Sequence, residues 1–304
     1  MPSRLRPRRL LALLLCTVAA LAGCARPVPA TDGRLAVVTS ISPLGDLIGQ
    51  VGGDRVRVTA LVPRGADPHA FDPRPADVTA VARARLFIAN GLNEEAYLDK
   101  LVKNAGSQQL QVVVLAQAVG PLVVGSLHYD PLTATNPHLW LSPAAATAYV
   151  RAVRDALIAA DPAGAGQYRT QADTYMRQLA DLNQWIAAQV AMIPAAQRKM
   201  VVLHNAWDYF CAQYGLQPLP LLANPEAEPS AQEYARMVDL IRREQVHAVF
   251  GEAGFNPKLV ERLAGDTGVR FVSDLHDDTL GGPPTDTYDG MMRDNVRKIV
   301  EALR

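Results

Sequence analysis

Two of the six histidines stand directly behind a proline, in Asp67-Pro68-His69 and Asn136-Pro137-His138. Proline fixes φ near −65° and restricts the residue before it, so the backbone carrying each imidazole is stiff. A stiff mount suits a metal ligand, because little ordering is left to do when an ion binds. A third histidine, His204, follows the apolar run Val201-Val202-Leu203. Glu252 follows Val249-Phe250, and Asp277 and Asp278 come after the run 270–273. Imidazole suits zinc, copper, iron and nickel, whereas oxygen-only sites suit magnesium and calcium. Three imidazoles and one carboxylate fill a tetrahedral zinc shell, while a catalytic zinc keeps one position for water. The chemistry indicated is capture of a divalent transition metal rather than hydrolysis.

The remaining histidines carry less. A lone histidine is more often a structural hydrogen-bonding group than a ligand. His128 falls in an unconstrained loop, and His247 begins a strand and faces away from the others. His276, two residues from Asp278, is ambiguous.

The candidate residues share a location relative to the secondary structure. Strands are read at 34–39, 56–62, 86–89 and 112–115, with helices at 41–51, 76–85 and 94–105 between them. The stretch 120–137 is irregular, and Ser142-Pro143 starts a helix that runs to about 160, with Ser as cap and Pro in the first turn. Alternation resumes with strands at 200–203, 219–222, 247–250 and 270–273 and helices at 206–214, 230–244, 257–264 and 287–303. Strands alternating with helices argue for parallel sheets covered on both faces. In such sheets ligands bind beyond the carboxyl ends of the strands, which is where His69, His204, Glu252, Asp277 and Asp278 fall. His138 precedes a helix start. Residues from both halves of the chain thus converge on the rim of a cleft.

Between the two repeats lies the longest helical pattern, 166–191, with larger apolar residues at Tyr168, Tyr175, Leu179, Leu182, Ile186 and Val190. That spacing is one helix face. At 1.5 Å per residue it extends roughly 40 Å, more than one small lobe needs, and it reads as a strut; the alternative is a long surface helix of a single domain. The expected fold is α/β, with two lobes, each a mainly parallel sheet flanked by helices, joined by a single long rigid helix. The expected divisions are a signal peptide at 1–23, a tether at 24–33, an N-terminal lobe at 34–162, the connecting helix at 163–193 and a C-terminal lobe at 194–304.

The N-terminus bounds where such a protein works. Arg4, Arg6, Arg8 and Arg9 precede an apolar run over 10–21. The run is too short to span a bilayer, which needs about 20 residues, and reads as an export signal. Leu21-Ala22-Gly23-Cys24 resembles the bacterial lipobox, which implies cleavage before Cys24 and a lipid on that cysteine. Without the signal, 26 basic residues face 30 acidic ones, a net charge of −4. No basic stripe suggests a nucleic-acid partner. Cys211 is then the one thiol left in the body, so an intramolecular disulfide and a cysteine-based metal site are both excluded.

Five segments, PRGADPHAFDP (63–73), NPHLWLSP (136–143), LHNAWDYF (203–210), EAEPSAQE (226–233) and YDGMMRDN (288–295), resemble the zinc- and manganese-binding lipoproteins of bacterial ABC importers. They span nearly the whole mature chain, in order. The resemblance implies two α/β lobes joined by one long helix, with a metal site between them. It implies His69, His138 and His204 as three ligands and an aspartate ahead of the Tyr-x-x-Met-Met segment as the fourth. Counting places the fourth at Asp278, with Asp277 its rival. Glu252 matches a position that is often a carboxylate and is expected to orient an imidazole. Trp140 and Trp207 are expected to wall the site. Relatives with histidine in the third place tend toward zinc, and those with glutamate toward manganese. Many zinc members also carry a His- and acid-rich loop, whereas 120–135 here holds only His128. The implied protein is not an enzyme. It is a monomeric, lipid-anchored protein of the cell surface or periplasm, carrying Zn2+, or alternatively Mn2+, to an ABC permease. Two other classes are a binding protein of the same architecture for a chelated metal or corrinoid, and a secreted zinc hydrolase with Glu252 as base.

Overall fold

Strand segments such as Leu86-Phe87-Ile88-Ala89, with no polar alternation, require cover on both faces. The structure, a computed structural model, describes residues 33–223 and 227–304. The export signal, Cys24 and nearly all of the tether lie outside the described residues.

The first half contains β1 (Leu35–Thr39), α1 (Ser42–Gly52), β2 (Val56–Ala60), α2 (Pro75–Arg83), β3 (Leu86–Ala89), α3 (Leu98–Ala105), β4 (Gln111–Val114) and the short α4 (Leu115–Ala118). Its four strands are parallel in the order β2-β1-β3-β4. A hairpin, β5 (Leu122–Val124) and β6 (Leu127–Tyr129), precedes α5 (Pro143–Ala160) and α6 (Ala165–Val190). The second half contains β7 (Lys199–Val202), α7 (Asp208–Tyr214), β8 (Gln217–Pro220), α8 (Ala231–Arg243), β9 (Ala248–Glu252), α9 (Lys258–Thr267), β10 (Arg270–Leu275) and α10 (Tyr288–Leu303). Its strands are also parallel, in the order β10-β9-β7-β8. Counted from its own first strand, each sheet has the same order, 2-1-3-4. The order reverses between first and third strands, which opens a crevice at their carboxyl ends.

The caps read from sequence are present. Ser142 accepts from Ala145 N at the start of α5. Ser230 and Glu233 form a reciprocal capping box at α8. The long helix α6 has 26 residues and buries Tyr168, Ala172, Tyr175, Leu179, Leu182, Ile186 and Val190, the face its spacing indicated. It packs against α1 and α5 of the first half and against α7 and α10 of the second. One continuous core accordingly includes Val37 and Leu44, Leu182 and Ile186, and Phe250 and Met292. Burying a large apolar side chain is worth about 1.5–3 kcal/mol, so a wide hinge that exposed three of them would cost roughly 5–9 kcal/mol. Small tilts are all this packing admits.

Three local expectations are corrected. The stretch 120–137 is not wholly irregular: its hairpin has strands of three residues, too short for alternation to register. Gly125 makes that turn at φ +58°, where a Cβ would lie 2.0 Å from the Ala212 carbonyl oxygen of α7. The third helix starts at Leu98 rather than 94: residues 92–97 form turns, with Leu92 and Asn93 at positive φ. Glu252 closes β9 rather than following it. Among the described residues no helix is long and apolar enough to cross a membrane.

Candidate metal centre

Each candidate side chain is set by its local chain. In the loop after β2, Asp67 Oδ1 accepts from His69 N at 2.8 Å, fixing the turn around Pro68. The His69 side chain is 27% exposed and stands at the mouth of the crevice. Ahead of α5, Asn136 Oδ1 accepts from His138 N at 3.0 Å and lies 2.8 Å from His138 Nδ1. That contact places the ring proton on Nδ1 and leaves Nε2 bare. His204, just beyond β7, has Nδ1 2.6 Å from Glu252 Oε2, and Glu252 Oε1 accepts from Trp207 Nε1 at 3.2 Å. Its Nε2 is likewise turned inward, 3.3 Å from His138 Nε2.

Asp278 lies in the loop after β10. Its N–H donates to Asp277 Oδ1, and Trp140 Nε1 donates to the Asp277 carbonyl at 2.7 Å. Thr279 Oγ1 accepts from Gly65 N at 2.8 Å, and Arg64 donates to the Gly281 carbonyl at 2.8 Å. The loops bearing His69 and Asp278 are therefore tied together across the two halves. On the opposite side, Asn136 Nδ2 donates to the Asn205 carbonyl, joining the His138 and His204 segments.

These ties bring His69, His138, His204 and Asp278 together, with one donor atom from each within 4.8 Å of the others. Asp278 carboxylate oxygens lie 3.6, 3.4 and 3.8 Å from the Nε2 atoms of His69, His138 and His204. Tetrahedral zinc with bonds of about 2.0–2.1 Å requires ligand atoms roughly 3.3–3.4 Å apart. Oδ2 faces His69 and His204 and Oδ1 faces His138, at distances near or slightly above the edges of such a shell and too long for hydrogen bonds. Neither Asp278 oxygen has a hydrogen-bond partner, although the residue is only 2% exposed. A buried carboxylate without partners is strongly unfavourable, and a cation among the imidazoles would relieve it.

A second group, His204, Glu252 and Asp277, also satisfies the proximity criterion. There, His204 Nδ1 and Glu252 Oε2 already touch at 2.6 Å as a hydrogen bond, which leaves no room for an ion between them. Asp277 sits on this outer side of His204, its Oδ2 3.8 Å from Nδ1. Asp278, not its neighbour, shares the inner group.

The electrostatics follow from burial. Burial, aided by the neighbouring His204 and His69, holds His138 well below the ordinary histidine range, in the neutral form a metal requires. Burial would also lower His204, but Glu252, Asp277 and Asp278 together push it up to about 10. Burial and then Glu252 raise Asp277 to about 8, while burial and then Asp277 raise Asp278 far above the usual carboxyl range.

Glu252 stands against the Nδ1 side of His204, and Trp140 packs its ring 5.1 Å from that of His138. His276 turns away, with Nδ1 3.0 Å from the Thr279 carbonyl oxygen. His128 and His247 are exposed, outside the group. Sequence reasoning missed Glu94 and Glu95, both buried behind β3. The strand-end rule applied to 86–89 would have flagged them, but they were read as a helix start.

Residues 37–302 match the family described as zinc-uptake complex component A, periplasmic. The manganese-binding lipoprotein MntA of Halalkalibacterium halodurans is 33% identical over 295 residues, 96% of either chain. The iron-binding protein YfeA of Yersinia pestis is 28% identical over 276 residues, 90% of this chain and 88% of its own. Among solved structures, the manganese-bound periplasmic metal-binding protein from Candidatus Liberibacter asiaticus has a TM-score of 0.77 at 25% identity, over 89% of this chain and 100% of that one. The crystal structure titled ZnuA has a TM-score of 0.77 at 28% identity with the same coverage.

Proposed function

This chain belongs to the zinc-uptake component A family of periplasmic proteins, and on that premise we propose that it captures a divalent transition metal outside the cytoplasm and delivers it to an ABC permease. The ion's ligands are His69, His138, His204 and Asp278, with Glu252 orienting His204. The observation that supports this most is the buried, unpartnered Asp278 carboxylate facing three imidazole Nε2 atoms at 3.4–3.8 Å. The family is one of transport binding components, not enzymes. Cys24 carries the lipid anchor, and the protein works as a monomer at the cell surface or in the periplasm. The lobes run over 34–162 and 194–304, with 163–193 as the strut between them and 24–33 as the tether left after removal of 1–23.

The cargo we propose is zinc, because three imidazoles with one carboxylate match its preferred donors and coordination number. Manganese is the second reading, favoured by the manganese-binding relative at 33% identity. Because the shared core restrains the lobes, release proceeds by a small tilt or a loop movement at the permease rather than by wide opening.

Metal analysis of protein purified without chelator, followed by calorimetric competition between zinc and manganese, tests this directly. One ion per chain is expected, with zinc displacing manganese and no hydrolysis of amide or ester substrates. Failure to bind either ion would end the transport reading, while manganese displacing zinc would overturn the choice of cargo alone.

A further inference from the structure

The loop after β3 contains a carboxylate that no part of the ligand set uses. Glu94 is 3% exposed, and neither of its oxygens has a hydrogen-bond partner. Its neighbour Glu95 is equally deep but fully engaged: its oxygens accept from Asn90 N, Gly91 N and Ser40 Oγ. These bonds close a turn in which Gly91, Leu92 and Asn93 all take positive φ, from 55° to 91°. Positive φ at a leucine is costly, so the surrounding bonds impose the turn. Asn90 Nδ2 in this turn donates to the Pro137 carbonyl at 2.9 Å, which ties the turn to the segment bearing His138, and the charges that act on the buried Glu94 are Glu95, His204, Asp277 and Asp67. Asp278 in turn feels Glu94. Glu94 belongs to neither of the proximity groups that could chelate an ion.

We propose that Glu94 is an affinity-determining residue of the cation site, a carboxylate without a partner until a divalent ion arrives, which then offsets part of the ion's charge from outside the ligand set. The inference rests on the metal-capture reading above. Its physical basis is the charge around the ion. Asp278 is the one carboxylate among the four ligands, Glu252 and Asp277 stand behind His204, and a further carboxylate outside the ligand set adds to the negative field that holds a doubly charged ion. Charges several ångströms apart interact strongly where water is excluded. A carboxylate that already lacks partners gives up no hydrogen bond to serve this role.

A protonic consequence follows. In the metal-free protein burial raises the Glu94 carboxyl, with Glu95 adding to the effect. Entry of the ion favours the ionised form, and a proton displaced from Glu94 goes to solvent. The groups facing Glu94 that share in the titration are Asp67 from the His69 loop, His204 beyond β7, Asp277 and Asp278 beyond β10, Tyr149 on α5, and Glu95 and Tyr97 from its own segment.

The test compares the full chain with Glu94→Gln and Glu94→Leu, using zinc chloride and manganese chloride in calorimetry with buffers of different ionisation enthalpy. Both variants are expected to bind about 10–100-fold more weakly at pH 8, as for other groups acting from outside a ligand set, with the difference shrinking toward pH 6. Each should release fewer protons per ion than the wild type, by up to one. Metal-free thermal stability should stay level or rise, because an orphaned acid has been removed. A purely structural role predicts lower stability with an unchanged proton count. Unaltered affinity and proton count in both variants would overturn the inference while leaving metal capture intact. Absence of binding by the wild type would instead remove the reading beneath it.

Discussion

Replacing Asp278 by asparagine is expected to make the metal-free protein more stable while weakening its grip on the ion by about two to three orders of magnitude. The two effects have one cause. Asp278 is 2% exposed, its oxygens have no hydrogen-bond partners, and Asp277 and Glu94 raise its carboxyl further after burial has done so. A buried polar group left unsatisfied costs about 1–3 kcal/mol, and a charge costs more. Asparagine keeps the shape, removes the charge and supplies an Nδ2 donor toward the imidazole Nε2 atoms that Asp278 faces, so Asp278→Asn should add about 1–3 kcal/mol in chelator-treated denaturation. Structural zinc sites with four ligands bind with roughly 10–16 kcal/mol, or about 2.5–4 kcal/mol per ligand, which gives the factor stated for affinity. Calorimetry with zinc reads the loss. A variant that is less stable and binds normally would show Asp278 to be a structural residue.

The second large effect is a divergence with pH between the metal-free and loaded forms. Asp277, raised to about 8, and Asp278 and Glu94, both raised, each stabilise the metal-free fold fully below the unfolded carboxyl pKa of about 4. That contribution is lost as pH rises through their native values. His204, raised to about 10, acts in the same direction, with its contribution lost between about 6.5 and 10. His138 acts oppositely: its pKa is lowered, so its contribution is complete above about 6.5 and lost as pH falls below. His276, also lowered by burial, acts as His138 does, and between pH 6 and 8 the four raised groups outweigh these two. The metal-free protein should therefore melt at a lower temperature at pH 8 than at pH 6. Affinity moves the other way, because the ion must displace protons from the same atoms, and it should rise about tenfold per pH unit for each proton displaced. Thermal denaturation at both pH values, with chelator and with saturating zinc, reads both. A metal-free melting temperature that climbs with pH, or a zinc-induced shift that ignores pH, would count against the proton-for-metal exchange.

Much of this was legible in the chain, for identifiable reasons. The run Leu86-Phe87-Ile88-Ala89 is buried on both faces, so its composition alone marks a strand, and its observed bounds are those read. The long helix announces itself because its buried residues recur on one face over seven turns. The hairpin at 122–129 was not legible: its register depends on Gly125 meeting the Ala212 carbonyl of a distant helix. At the site, the strand-end rule located His69, His204 and the pair Asp277-Asp278, and the Pro-His pairs drew attention to His138. Which aspartate faces inward could not be read, since it is set by Trp140 holding the Asp277 carbonyl from across the crevice. Glu94 lay within reach of the same strand-end rule, but composition reads 94–105 as one helix, whereas the chain makes a turn there and the helix begins at Leu98.

The most direct test is an anomalous diffraction map of zinc-loaded crystals, collected at the zinc edge. One peak is expected, about 2.0–2.2 Å from the Nε2 atoms of His69, His138 and His204 and from an oxygen of Asp278. A peak on the Nδ1 side of His204, held by Glu252 and Asp277 with His69 and His138 out of reach, would contradict the central claim.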